Sequence, residues 1–101
     1  MADFPTKEVC FEVAGWSSKL FDTPTPQGHK YCITLFDIDD NRYRIYSYTR
    51  YPAMRFHGHK VSINNGDIIR ALATVSETPE GELLSLLFNT IELLDDFSKR
   101  G

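Results

Sequence analysis

His29-Lys30-Tyr31-Cys32-Ile33-Thr34-Leu35-Phe36-Asp37-Ile38, then Asp39-Asp40-Asn41, then Arg42-Tyr43-Arg44-Ile45-Tyr46-Ser47-Tyr48 reads as two strands joined by a tight polar turn. Side chains alternate across a strand with period two, so placing one residue sorts the whole hairpin into faces. With Ile33 and Leu35 in the core, Tyr43 and Ile45 are their expected partners. The other face then carries Lys30, Thr34, Phe36, Arg42, Arg44, Tyr46 and Tyr48. Aromatic surface kept in solvent is costly unless something binds it. Single-stranded nucleic acid uses both components of such a face, since bases stack on rings and Arg or Lys meets phosphates. The same residues also suit a sheet with no ligand, because Tyr and Phe pack well in strands and Arg/Tyr cross-strand neighbours are stabilising.

The chain has 101 residues, enough for one domain with a real core. An apolar fraction of 42% and a charged fraction of 25% are those of an ordinary globular protein. No apolar run reaches the length of a membrane span, and the first residues lack the pattern of a signal peptide. A cytoplasmic location is expected, or a nuclear one in a host with a nucleus. Cys10 and Cys32 fall on predicted strands without a CxxC spacing, and are expected to be buried, reduced thiols.

The net charge of −3 argues against binding a polyanion by bulk attraction, but its distribution matters. Residues 28–60 carry six basic and three acidic side chains, a local excess of +3, whereas both flanks are acidic. A basic patch on an acidic body is compatible with a nucleic-acid footprint.

Residues 1–6 read as a frayed lead. Residues 7–14 alternate, with Val9, Phe11 and Val13 on one face, and form a predicted first strand. Gly15 is expected to end it, and residues 16–28, with Thr23-Pro24-Thr25-Pro26-Gln27-Gly28, to form a loop. Trp16 and Phe21 in that loop either fold back on the core or form a flap over a ligand. After the hairpin, Pro52 is positioned to open a helical turn that Gly58 stops. Asn64-Asn65-Gly66 marks a turn, residues 68–75 a fourth strand, residues 76–81 another turn and residues 82–91 a last long strand. Leu93, Leu94 and Phe97 stand at helical spacing in a terminal helix or tail spanning residues 93–101.

Five strands with a long first loop and an insert after the third is the order of an OB-fold. The run Ile33-Thr34-Leu35-Phe36-Asp37, the polar turn and Tyr43-Arg44-Ile45-Tyr46 resemble the second and third strands of replication-protein-A-like, single-stranded-DNA-binding OB domains. Ile63-Asn64-Asn65-Gly66-Asp67-Ile68-Ile69 is similar to the segment leading into their fourth strand, and residues 86–94 to their closing strand and its exit. The resemblance implies an all-β, five-stranded Greek-key barrel over residues 7–92, with a short helical insert and a short C-terminal helix or tail.

It also implies a ligand lying across the outer face of strands two and three. Phe36, Tyr46 and Tyr48 would be stacking platforms, and Lys30, Arg42 and Arg44 phosphate contacts. Trp16 or Phe21 would close over the strand, and Arg50 and Arg55 would extend the path. The expected function is binding of single-stranded nucleic acid, DNA ahead of RNA, in replication or repair. The alternative is an OB subunit of a larger single-strand-binding or telomere-type complex, joined to other subunits or a second copy through Leu93, Leu94 and Phe97. No enzyme is expected, because the Ser, His and Asp residues carry no nucleophile signature. Neither a metal nor another cofactor is expected: Asp37, Asp39 and Asp40 lack the spacing of a metal loop, and His57 and His59 are distant in sequence from both cysteines.

Overall fold

In the computed structural model, which describes residues 5–21 and 25–95, the chain is all-β. Its strands are β1 (Thr6–Glu12), β2 (Gly15–Leu20), β3 (Tyr31–Phe36), β4 (Arg42–Ser47), β5 (Ala53–Phe56), β6 (His59–Ser62), β7 (Ile68–Thr78), β8 (Gly81–Leu86) and β9 (Glu92–Asp95). The main sheet runs β1-β7-β8-β4-β3-β2, and β5 and β6 form a separate hairpin. All neighbours are antiparallel except β4 and β8. Among the described residues, no helix is long and apolar enough to cross a membrane.

The β3–β4 register pairs Ile33 with Ile45 and Leu35 with Tyr43, as alternation requires once one of them is inside. These four are buried, Ile33 and Leu35 completely. Val9, Phe11 and Val13 join them from β1 and its exit, and Ile69, Ala71 and Ala73 from β7. Burying an Ile or Leu side chain is worth about 1.5–3 kcal/mol, so this interior fixes the register of every strand that contributes to it. Phe11 lies flat on Tyr43, ring centroids 3.8 Å apart and planes 6° from parallel, linking β1 to β4 across the interior.

At Val13 and Ala14 the chain changes partner. The Val13 N–H donates to the carbonyl of Asp67, and the Ala14 N–H to that of Phe36. Residues before this point pair with β7, and residues after it pair with β3. β7 bonds β1 along one edge; along the other, residues 68–70 bond β9 and residues 73–78 bond β8.

Four expectations are corrected. Gly15, expected to end the first strand, and residues 16–20, expected as the start of a loop, form β2, because β3 has an edge for them that a local reading does not reveal. The expected helical turn after Pro52 is instead the β5–β6 hairpin. His57 and Gly58, at φ 50° and 79°, supply the positive angles that a two-residue hairpin turn needs, and the Pro52 carbonyl accepts from the Ile63 N–H. The last long strand stops at Leu86, and Phe88–Thr90 form one 3-10 turn. Residues 92–95, expected as helix or tail, are a strand on β7, with Arg70 Nε donating to Glu92 Oε2 at 3.1 Å; Phe97 lies outside the described residues. In addition, Cys10 is exposed rather than buried, while Cys32 is half-buried, and both are free thiols.

Candidate nucleic-acid interface

The outer face of β2, β3 and β4 is laid out by register. Gly15, Phe36 and Arg42 form one row, Ser17, Thr34 and Arg44 the next, and Lys19, Cys32 and Tyr46 the third. The Phe21 N–H donates to the Lys30 carbonyl at 2.9 Å, which carries the pairing one step beyond the strands. Phe21 is thereby set beside Tyr46, with centroids 5.9 Å apart and planes at 21°. Lys30 Nζ sits 6.0 Å from the centroid of the Tyr46 ring, and the Arg42 guanidinium 5.5 Å from that of Phe36. Such cation–ring contacts are weak when exposed, but they hold the long side chains along the face.

Two adjoining hollows follow these rows. One, of 420 Å³, is lined by Ser17, Lys19, Leu20, Phe21, Cys32, Thr34, Arg44 and Tyr46. The second, of 630 Å³, shares Ser17, Thr34 and Arg44 with it and continues past Phe36, Asn41 and Arg42. Together they make a groove with Thr34 and Arg44 in the middle. Its two ends differ in charge. The Phe21–Tyr46 end carries Lys19 and Lys30, whereas the Phe36–Arg42 end is flanked by Asp40, Glu80 and Glu82. Asp40 stands 4.0 Å from Arg42 with both side chains mostly in solvent, a pair worth little in water.

The turn that joins β3 to β4 is held by Asp37. Its carboxylate accepts from the backbone N–H groups of Asp39 and Asn41 and the side chain of Asn41, each at 2.9 Å, and from the Tyr43 hydroxyl at 3.0 Å. Burial favours the neutral acid, but these four bonds outweigh it and hold Asp37 below the ordinary carboxylate value. Tyr43 is moved the other way, up to about 12, by burial and then by the bond to Asp37 and its charge. The acidic turn thus builds the hairpin. Among the described residues, no cluster of three His, Cys, Asp or Glu is arranged to hold a metal.

Of the expected site residues, Lys30, Phe36, Arg42, Arg44, Tyr46 and Phe21 come together on this face. Tyr48 and Arg50 are exposed just beyond β4. Trp16 does not join them: its register partner is Leu35, so it belongs to the opposite side of the sheet, where it is 41% exposed. Arg55 lines a different cleft, of 360 Å³, with Met54, His57, Ile91, Glu92, Leu93 and Leu94. Ser17, Lys19 and Leu20 were not read as site residues because Trp-Ser-Ser-Lys-Leu shows no clean alternation; Cys32, which the register sets beside Tyr46 on the outer face, was expected to be a buried thiol. The available signal was that Ser17 and Lys19 stand two apart, as do Trp16, Ser18 and Leu20. No protein-family model matches the chain, and no curated protein or solved structure is significantly similar to it.

Proposed function

We propose that this chain is an OB-type barrel domain that binds single-stranded nucleic acid, DNA ahead of RNA, in the groove across β2, β3 and β4. The connectivity supports the fold. If β1 and β2 count as one strand interrupted at Val13–Ala14, the order becomes first, second, third, fifth, fourth and back to the first, with third and fifth parallel. The β5–β6 hairpin then occupies the position at which many OB domains carry a helix, and its buried Met54 closes that end of the core.

The observation that carries the function is the pairing of rings with cations along one groove: Phe21 and Tyr46 with Lys30, then Phe36 with Arg42. Bases stack on rings of any orientation-tolerant surface, each contributing about 1–3 kcal/mol, while Lys and Arg follow the phosphates. The acidic flank at Glu80 and Glu82 makes the Tyr46 end the stronger anchor. Catalysis plays no part in this reading.

Fluorescence anisotropy of labelled single-stranded DNA and RNA, at low and moderate salt, tests it. Binding that weakens with salt and is largely lost in Tyr46→Ala/Tyr48→Ala supports the groove. A folded protein that binds neither oligonucleotide at tens of micromolar overturns the reading. One observation favours the alternative of a subunit in a larger assembly: Leu94 is 47% exposed beside the cleft that also holds Leu93 and Arg55. Wild-type binding unchanged by Leu94→Asp separates the two.

A further inference from the structure

β2 stands at one end of the main sheet, and among the described residues β3 is its sole strand neighbour. Along its second edge, about 20 Å long, the outward backbone groups of alternate residues have no strand partner among the described residues, an edge of the kind that pairs readily with another strand. Every residue from Trp16 to Leu20 is exposed. Protected edges carry charges, prolines or bulges. β1, at the other end of the sheet, has Lys7, Glu8 and Glu12, and β9 has Glu92, whereas β2 has Lys19 alone. Trp16, on the face opposite the groove, and Leu20, which borders the groove's Phe21 end, remain 41% and 45% exposed.

We propose that β2 pairs antiparallel with β2 of a second copy of this chain. The second copy is favoured over another partner because the strand is complementary to itself. A twofold axis at Ser18 sets Trp16 opposite Leu20 of the other copy, twice over, and Ser17 opposite Lys19. Both exposed apolar side chains are then covered, and no two like charges lie directly opposite. Pairing through β1 would instead bring Glu8 and Glu12 of the two copies together. Ser17 and Lys19 also line the groove, so the dimer sets two grooves side by side on one extended sheet. The proposal does not depend on what the groove binds.

Trp16 is the chain's single tryptophan and lies in the proposed contact, so its emission reports on it directly. Sedimentation velocity over a concentration series, with emission recorded on the same samples, gives the oligomeric state. The expected result is a monomer–dimer equilibrium whose dimer carries blue-shifted Trp16 emission and is lost in Leu20→Glu, with the circular dichroism unchanged. In a Cys10→Ser background, Ser18→Cys is expected to form an intermolecular disulfide on oxidation and Ser17→Cys to form much less. A wild-type chain that stays monomeric, with unshifted emission at the highest concentration, overturns the proposal and leaves the edge to a different partner. A dimer that survives Leu20→Glu also overturns it, by locating the interface elsewhere.

Discussion

The Tyr43 hydroxyl donates a 3.0 Å hydrogen bond to Oδ2 of Asp37, tying a core residue of β4 to the turn that leads into the strand. The two groups answer each other: the carboxylate gains a donor, and the phenol is discouraged from ionising beside a negative charge. The ring of Tyr43 is at the same time stacked on Phe11, so one side chain joins the turn, β4 and β1. Two consequences for pH follow, of opposite sign.

Tyr43 keeps its proton in the folded state up to about 12, whereas an unfolded tyrosine loses it near 10. Its contribution to stability is therefore fully present below about pH 10 and is lost as the pH rises from there through about 12. Alkaline absorbance titration of Tyr43→Phe is expected to lack the ionisation near 12. Urea melts at neutral pH are expected to show a loss of about 1.5–3 kcal/mol, the usual worth of a hydrogen bond to a charged group. A wild-type titration without a late step would refute the assignment.

Asp37 behaves in the acid range. Its folded value lies below 3.8, so its contribution is present above the unfolded value and disappears as the pH falls through the folded one. Asp37→Ala leaves four donors of the turn to water and is expected to cost about 2 kcal/mol at neutral pH. The variant's stability is also expected to depend less on pH between about 5 and 2. Denaturant melts across that interval compare the slopes; equal slopes for variant and wild type would count against the turn's dependence on the charged carboxylate.

The β3–β4 hairpin was legible in the sequence because one local signal sufficed: strict alternation on both sides of a polar turn. Its inner set, Ile33, Leu35, Tyr43 and Ile45, and the opposite face with Phe36, Arg44 and Tyr46 follow from period two alone. β2 was not legible, because Gly15 signals a stop and Ser17-Ser18 no strand; what makes those residues extended is the edge of β3, a partner many residues away. The terminal segment failed for a related reason. Leu93 and Leu94 suit a helix face by spacing, but the lower edge of β7 was open and took them as a strand. Trp16 illustrates the cost to the candidate site. A one-residue difference in register moves a side chain to the other side of a sheet, and only the observed pairing with Leu35 decides the side.

The β5–β6 hairpin makes a distinct prediction. Met54 is 2% exposed, within the main core, although its own strand belongs to a separate two-stranded sheet. Met54→Ala is expected to destabilise the domain by about 2–5 kcal/mol, as for other large-to-small core changes, while its exposed neighbour Arg55→Ala stays within about 0.5 kcal/mol. Urea unfolding of the two variants makes the comparison. A Met54→Ala cost as small as that of Arg55→Ala would mean the hairpin merely rests on the core.

The contact between Phe21 and Tyr46 constrains how a base reaches the groove. Their centroids are 5.9 Å apart with planes 21° from parallel, the spacing of two rings in direct contact, so no base fits between them as they stand. A base therefore takes the side of Tyr46 that meets Phe21 only if Phe21 shifts, so Phe21 contributes a new contact there and gives up an old one. Tyr46→Ala loses its stacking outright and is expected to weaken oligonucleotide binding by about 1–3 kcal/mol, roughly 5- to 150-fold. Phe21→Ala is expected to weaken it by clearly less, because freeing Tyr46 offsets part of the loss. In the double variant the effect of Phe21→Ala shrinks further, since the ring it covered is gone. Anisotropy titrations of the four proteins close this cycle. A Phe21→Ala loss equal to that of Tyr46→Ala, and additive with it, would mean the two rings act as independent platforms and that the observed stack opens at no cost.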